Sequence, residues 1–311
     1  MKKIVVLGMA LYTALLGCAQ ERYFYTGPAL NLMASQYTSE RVGVLQGEKK
    51  LSYQGMDCWG ENIVSLQNKG IATIYKYDGF TLSKIETFKL GCYSEKNHSN
   101  VASFSNQFFA KGDKLPLLFV SQAYKEPVDG MKDLIYIERI NNNFKSSKLV
   151  AKINFKDVNK LFGYALQWVV DRENNFLYGF GNTIENLDPN NKHRIVKFKL
   201  PTISSKSKNV QTITLTEKDI LENYLIEDYF PHYYKQVGQG LMIKYGYLYM
   251  PIGLGTTQHP SILYVWDLAK RKMQNTIDLS KATNGELEDC AEFMGEILIQ
   301  TQGELYKLRF Q

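Results

Sequence analysis

Long polar side chains return at one place in a repeated strand pattern. Nine residues before the first apolar residue of four separate strands, the chain carries in turn Gln54, Gln167, Gln239 and Asp289. Converging amide and carboxyl groups can hydrogen-bond a polar ligand or hold a cation. They can equally form an internal network around buried water, because buried polar groups need hydrogen-bond partners. Both interpretations require strands that bring these residues together at one rim.

Four further polar residues accompany this set. Asp57 and Asp171 lie further along two of the same first strands, and the stretch KNHSNVASF offers His98 or Asn100 at the corresponding place of another unit. A hard cation needs several oxygen ligands and more negative charge than these residues offer. We therefore expect no cofactor and no metal site, with a channel-bound cation such as calcium as the alternative.

The sequence favours a binding or scaffold function over catalysis. It contains no GxSxG nucleophile elbow, and of its four histidines only His98 falls near the polar set. Two carboxyl groups for glycoside cleavage are compatible with the composition, but no spacing selects a pair. The expected ligand is a glycan, a peptide or a protein partner.

The segment TEKDILENYLIEDYFPHYYK (216–235) differs from its surroundings. Thr216 followed by Asp219 is typical of a helix N-cap, and apolar residues then recur at helical spacing, which predicts one short helical insertion. The segment ends in an aromatic group that could stack on a sugar ring or a partner as a lid: Phe230, His232, Tyr233 and Tyr234. The alternative is a helix whose apolar face packs on the rest of the domain.

Most of the remaining chain predicts short strands. Runs such as NIVSLQ, GIATIYKYD, PLLFVSQAY, NFLYGFG and ILYVWDL are rich in β-branched and aromatic residues and are separated by Asp, Asn and Gly turns. They fall into groups of four. In two groups the third strand ends at an aspartate, Asp78 or Asp267, and a leucine closes the fourth strand twelve residues later, at Leu90 or Leu279.

This organisation resembles the β-propeller repeats of the WD40 and YVTN type, although the Gly-His dipeptide of WD40 is absent. The resemblance implies an all-β ring of four-stranded blades, in which no long sheet edge stays open. Five blades are visible, near 50–90, 98–155, 163–216, 236–280 and 287–310, and six if the N-terminal segment and the insertion contribute more. The last has three evident strands, so the segment near 31–46 is expected to close the ring. A jelly roll or sandwich is the alternative.

The dipeptide Gln-Gly opens two of the predicted inner strands, at Gln54-Gly55 and Gln239-Gly240. A glycine at this place permits close backbone approach around the axis. In this respect the sequence resembles propellers of the glutaminyl-cyclase type, whose strands also begin with such a pair. That resemblance implies the alternative function, an enzyme with its active site at the channel mouth, of glutaminyl-cyclase-like, lactonase-like or glycan-active type.

The N-terminus is typical of an exported bacterial lipoprotein. Lys2 and Lys3 precede an apolar run that is too short to span a bilayer, and LLGC at residues 15–18 resembles a lipobox. This predicts a signal peptide over 1–17, a lipid on Cys18, a tether with the ring-closing strand over 18–49, and the propeller over 50–311. Ala19 after the cysteine is typical of outer-membrane lipoproteins facing the periplasm or the cell surface.

Charge and cysteine content exclude other classes. The formal net charge of +6 falls by two when Lys2 and Lys3 are removed, and the charges alternate in sign, which does not predict a nucleic-acid partner. Three cysteines remain besides Cys18, and no CxxC pair occurs. Cys58, Cys92 and Cys290 are expected to be small buried residues, with a single disulfide as the alternative.

Overall fold

The structure is a computed structural model. It describes residues 36–123, 127–128, 130–163, 166–184, 190–226 and 239–310. These residues form an all-β ring of five blades, as the repeat pattern predicts; each blade has four antiparallel strands, and one blade carries a fifth strand in addition. The predicted signal peptide, Cys18 and the predicted lid residues Phe230, His232, Tyr233 and Tyr234 lie outside the described residues. No helix in the described part is long and apolar enough to cross a membrane.

The strands are numbered in chain order, and β1 (Tyr37–Val44) precedes the first blade. Blade 1 contains β2 (Tyr53–Trp59), β3 (Asn62–Gln67), β4 (Ile71–Tyr77) and β5 (Leu82–Lys89). Blade 2 contains β6 (Val101–Phe104), β7 (Leu118–Gln122), β8 (Leu134–Ile140) and β9 (Ser147–Lys156). Blade 3 contains β10 (Leu166–Asp171), β11 (Phe176–Asn182), β12 (His193–Lys199) and β14 (Ile220–Ile226). Blade 4 contains β15 (Met242–Lys244), β16 (Tyr247–Ile252), β17 (Ile262–Asp267) and β18 (Lys272–Asp278).

Blade 5 joins the two ends of the described chain. Its inner strands are β19 (Leu287–Phe293), β20 (Glu296–Thr301) and β21 (Glu304–Phe310), and β1 pairs antiparallel with β21 as the outer strand. The segment in which the sequence places the closing strand therefore contains β1. Pairing of β1 with β21 covers an edge that would otherwise expose a row of unpaired backbone groups.

The segment that follows blade 3 differs from its prediction. Thr216 does donate its N–H to the Asp219 carboxylate (2.8 Å), but the helical part is one 3₁₀ turn, Glu217–Asp219. Residues Ile220–Ile226 then form β14 and pair with β12, so the predicted helix is wrong over its described part. Its apolar spacing fits an amphipathic helix, but the open edge of β12 selects the extended form.

A second correction concerns the run VQTITL (210–215), which falls at the end of the blade predicted near 163–216. It forms β13 (Gln211–Thr216), which pairs in parallel with β9 and extends blade 2 to five strands. Blade 3 consequently runs to Ile226 rather than ending at residue 216. The sequence could not distinguish the two edges, because a strand with one buried face fits either of them.

Hydrophobic side chains form five buried clusters, and each lies between two neighbouring blades. Between blades 2 and 3, for example, the Trp168 indole packs against Phe155 and Phe198 with ring centroids 6.3 and 5.8 Å apart. Burying side chains of this size contributes about 1.5–3 kcal/mol each. Packing between blades, rather than one central core, therefore holds the ring together.

The repeated aspartates end their strands by fixing the next turn. Asp78 Oδ1 accepts the N–H groups of Phe80 and Thr81, and Asp267 Oδ1 accepts those of Ala269 and Lys270. The recurrence of aspartate at this place in blades 1 and 4 thus has a local cause, an Asx turn between the third and fourth strands. The three cysteines in the described part, Cys58, Cys92 and Cys290, are free and buried, as expected.

Candidate functional site

The inner strands β2, β6, β10, β15 and β19 surround the axis of the ring. We call the end at which they begin the upper rim and the opposite end the lower rim. Two of these strands are irregular near their beginning: the register shifts between Tyr53 and Met56 in β2 and between Leu287 and Asp289 in β19. Such irregularities re-aim side chains and are common near functional sites.

Asp289 lies fully buried where four blades meet. Its Oδ2 accepts the N–H of Met56 (2.7 Å) and the more distant N–H of Ala102 (3.4 Å). Its Oδ1 accepts the N–H groups of Leu241 (3.0 Å) and Cys290 (2.9 Å). Burial raises the pKa of Asp289 well above its usual range, and the N–H bonds oppose that shift. Both oxygens are occupied, so Asp289 acts here as a hub that joins blades.

The glycines of the two Gln-Gly pairs make this hub possible. A Cβ on Gly240 would lie 2.1 Å from Asp289 Oδ1, and one on Gly55 would lie 2.6 Å from the backbone nitrogen of Ala102. Neither distance is compatible with any other residue unless the strands separate. The predicted close backbone approach at both pairs is therefore confirmed.

The three glutamines of the predicted set lie along the upper rim and link blades. Gln167 donates from Nε2 to the carbonyl oxygen of Gln239 (3.1 Å), and Gln239 donates from Nε2 to Glu286 Oε1 (2.7 Å). The carbonyl oxygen of Gln54 accepts a bond from Gln300 Nε2. The structure thus brings Gln167 and Gln239 into direct contact and places Gln54 at the junction of blades 5 and 1.

His98 and Asn100 occupy the corresponding place in blade 2. The N–H of His98 donates to Gln122 Oε1 (2.8 Å), and its ring Nδ1 lies 2.8 Å from Asn68 Oδ1. Burial lowers the pKa of His98. Asn100 Oδ1 accepts the N–H of Ala123 (3.1 Å). These contacts fix loops at the junction of blades 1 and 2.

Asp57 and Asp171 lie toward the lower rim, away from the glutamines. Asp57 is buried and accepts bonds from Arg172 Nη2 (2.8 and 3.0 Å), from the N–H of Phe104 (2.6 Å) and from that of Cys58 (2.7 Å). Burial raises the pKa of Asp57, and the Arg172 charge opposes this. Asp171 caps the turn at Asn174. The sequence treated both as candidates for the upper rim; their places near the ends of β2 and β10 correct that.

Two further carboxyl groups, which the nine-residue pattern does not indicate, lie on the upper rim. Glu286 accepts the bond from Gln239, and the buried Glu288 accepts one from Gln302 Nε2. Burial raises the pKa of Glu286. Burial and then the charge of Glu286 raise the pKa of Glu288 well above its usual range. Within the described residues, neither carboxylate has a salt bridge, unlike Asp57 below them.

The available sequence signal for this pair was the alternation in GELEDC, in which Glu286 and Glu288 flank Leu287. Glu288 lies within the irregular part of β19, where the ordinary alternation of strand faces fails. A nine-residue count therefore selects Asp289 and passes over Glu288. Over the described ranges, no group of three or more His, Cys, Asp or Glu side chains could hold a metal ion.

Comparisons with known proteins support the fold. No protein-family model and no curated protein sequence matches this chain. Its structure is similar to that of the glutaminyl cyclase of Myxococcus xanthus, with a TM-score of 0.52 and 11% identity over 88% of this chain and 97% of the cyclase. It is also similar to the tail fibre of a Staphylococcus aureus phage, with a TM-score of 0.51 and 11% identity over 89% of this chain and 53% of the fibre. These likenesses show a five-bladed propeller fold.

Proposed function

We propose that the chain is a binding module of the bacterial cell envelope whose upper rim recognises a peptide through a free amino group. The observation that carries this proposal is the carboxyl pair Glu286 and Glu288, which lies at the channel mouth without a basic partner in the described part of the chain. An ammonium group would supply the missing countercharge, and Gln302, exposed above Glu288, would bond the adjacent peptide group. A neutral glycan would leave the charge uncompensated.

The hydrogen bonds and ion pairs along the axis support binding at the rim. Below the carboxyl pair, Asp289 bonds backbone groups of blades 1, 2, 4 and 5, and further down Arg172 pairs with Asp57. At the lower rim Lys244 is held between Glu173 (2.9 Å) and Glu292 (3.5 Å). These described charges along the axis are thus paired or hydrogen-bonded, in contrast to Glu286 and Glu288, which have no salt bridge to a described residue.

A peptide and glycan array probed with the purified chain tests this function. Glu286→Gln keeps the volume and the bond from Gln239 but removes the charge, and we expect it to weaken peptide binding about ten-fold or more. Glu292→Gln, the same change at the other end of β19, is the matched control and should bind as the parent does. Equal binding by the parent and Glu286→Gln, or binding to glycans alone, would contradict the proposal.

A second candidate function is peptide cyclisation at the same rim. It is favoured by two adjacent carboxyl groups with raised pKa values, together with the fold likeness to a glutaminyl cyclase. The α-amino nitrogen of an N-terminal glutamine would attack the side-chain amide carbon, forming a C–N bond as the amide C–NH₂ bond breaks. One carboxylate would accept the proton of the amine, and a protonated carboxyl group would donate one to the departing ammonia.

Release of ammonia from a glutamine-initiated peptide distinguishes this second candidate from simple binding. If the rim is catalytic, the peptide loses the mass of ammonia in the presence of the chain, and Glu288→Gln abolishes the loss. The Glu292→Gln control should retain the activity. Unchanged peptide that still binds would leave binding as the function.

For the location, we propose attachment to the outer membrane through a lipid on Cys18, based on the basic, apolar and lipobox segments before it. Acyl chains contribute about 0.8 kcal/mol per buried methylene, which is enough for stable anchoring with two or more chains. Cys18→Ala should abolish lipidation and move the protein to the soluble envelope fraction. Retention of the variant on membranes through a salt wash would contradict the assignment.

A further inference from the structure

A cleft of about 630 Å³ lies on the upper face between blades 2 and 3, outside the rim already described. The residues before β8, the end of β9, residues 160–163 and the residues after β11 surround it. Cavities of 300–1,000 Å³ are typical of small-molecule sites. Its lining carries charged groups of both signs beside aromatic side chains.

The carboxylate of Asp133 is the central feature of this cleft. The side chain is only 2% exposed, and its Oδ1 accepts a bond from the N–H of Leu166 (3.1 Å). The nearest cation to Oδ2 in the described residues is Lys132 Nζ at 4.0 Å, which is beyond hydrogen-bonding distance. One oxygen of a buried carboxylate is thus left without a hydrogen bond from the described residues.

The backbone holds this carboxylate in place at a cost. Asp133 has a φ of +55°, a conformation that is uncommon for residues other than glycine and that tends to occur at functional sites. The Trp168 indole Nε1 donates to the carbonyl oxygen of Asp133 (3.0 Å) and fixes it against blade 3.

Cations and an apolar surface complete the cleft. Lys132 is 38% exposed at its side chain, and Lys160 is exposed, with no salt bridge to any described residue. Both oxygens of the nearby Asp157 already accept backbone N–H groups, from Leu161 and Phe162. Phe155 and Phe162 lie edge to face, with ring centroids 6.5 Å apart, and provide the apolar wall.

We propose that this cleft binds a small zwitterion with an apolar side chain, of the size of an amino acid. Its ammonium group would bond Asp133 Oδ2, which accepts no hydrogen bond from the described residues. Its carboxylate would reach Lys132 or Lys160, and its side chain would lie against Phe155 and Phe162. A ligand of this class supplies charges of both signs opposite Asp133 and the lysines, which have only one long ion pair among the described residues, and a neutral sugar does not. The proposal does not depend on the function assigned to Glu286 and Glu288.

Burial also keeps Asp133 poised for such a ligand. It raises the pKa of this carboxyl group to about 6, with the Lys132 charge and the Leu166 N–H opposing and the Asp157 charge adding to the shift. At neutral pH Asp133 is therefore ionised but poorly compensated. A bound ammonium group would compensate the negative charge of Asp133 directly.

Calorimetric titration of the purified chain with L-leucine and L-phenylalanine, together with two blocked forms of leucine, tests the proposal. N-acetyl-leucine lacks the ammonium group and leucinamide lacks the carboxylate. We expect the free amino acids to bind and each blocked form to bind at least about ten-fold more weakly, because each loses a charge-assisted bond. Absence of binding by both amino acids up to millimolar concentration, or equal binding of a blocked form, would overturn the proposal.

Substitutions in the lining of the cleft test whether the amino acid binds there. Asp133→Asn keeps the acceptor for the Leu166 N–H but removes the charge, and it should lower affinity for leucine at least about ten-fold. Lys132→Gln changes a partly exposed side chain and should selectively weaken recognition of the carboxylate, so that leucine and leucinamide become more alike. Asp78→Asn, in an exposed turn of blade 1, is the matched control. Binding that is unchanged in Asp133→Asn would place the ligand elsewhere and refute the assignment.

Discussion

Two buried aspartates of this propeller have opposite environments. Asp289 at the axis accepts four backbone N–H groups from four blades, whereas Asp133 in the cleft accepts one from the described residues, and these donate none to its Oδ2. Burial raises the pKa of both. Burial and a raised pKa therefore do not distinguish a structural carboxylate from a binding one. The number of hydrogen-bond donors around each oxygen does, because donors replace the lost water.

The largest expected effect is loss of the ring that creates the axis. Deleting residues 19–48 removes β1 and exposes the edge of β21, and it also removes Leu45, which is buried between blades 5 and 1. We expect the melting temperature to fall sharply, with amide hydrogen exchange rising first around Asp289. Exchange near Asp133, at the junction of blades 2 and 3, should rise later. An unchanged melting curve would show that β1 is dispensable.

The next largest effect separates the two carboxylates directly. In Asp289→Asn the amide NH₂ must face two backbone donors in either orientation, since each oxygen accepts two N–H groups. We expect a loss of about 3 kcal/mol in the free energy of unfolding, from donors left unsatisfied in the interior. Denaturant titration measures it. A loss below about 0.5 kcal/mol would remove Asp289 from the structural role assigned here.

Asp133→Asn should raise the free energy of unfolding at neutral pH, whereas Asp289→Asn lowers it. The folded pKa of about 6 exceeds the usual 3.8, so the folded state binds more protons and its stability falls as pH rises from about 4 to 6. The neutral variant does not lose stability over this pH range, and asparagine tolerates a positive φ as aspartate does. We therefore expect the variant to be about 1–3 kcal/mol more stable than the parent at pH 7. Equal pH dependence of unfolding in parent and variant would contradict the environment described for Asp133.

The smallest expected effect concerns the cations of the cleft. Lys132 and Lys160 make at most one long ion pair with described residues, so replacing either with Gln should change the free energy of unfolding by less than about 0.5 kcal/mol. Binding of a zwitterion should nevertheless weaken. If either change destabilises the fold by more than about 1 kcal/mol, the lysine has a structural role and the cleft loses a binding group.

Particular residues show which features of the fold and of the candidate site can be predicted from the sequence. The repeated Asp78 and Asp267 and the glycines Gly55 and Gly240 were interpretable because local turns and close approaches leave a fixed spacing. β14 was predicted as a helix because a short amphipathic segment fits both forms, and the open edge of β12 decided between them. Glu288 was passed over because an irregular strand does not preserve the count.

The sequence by itself determined the class of fold and the five-bladed ring, since strand periodicity and turn chemistry are local. Only the tertiary structure decided that Asp289 accepts four backbone N–H groups, that Asp57 pairs with Arg172, and that Asp133 accepts one hydrogen bond from the described residues. The donors that surround a buried carboxylate come from blades far apart in the chain. A short-range sequence pattern therefore does not predict how many donors contact the carboxylate.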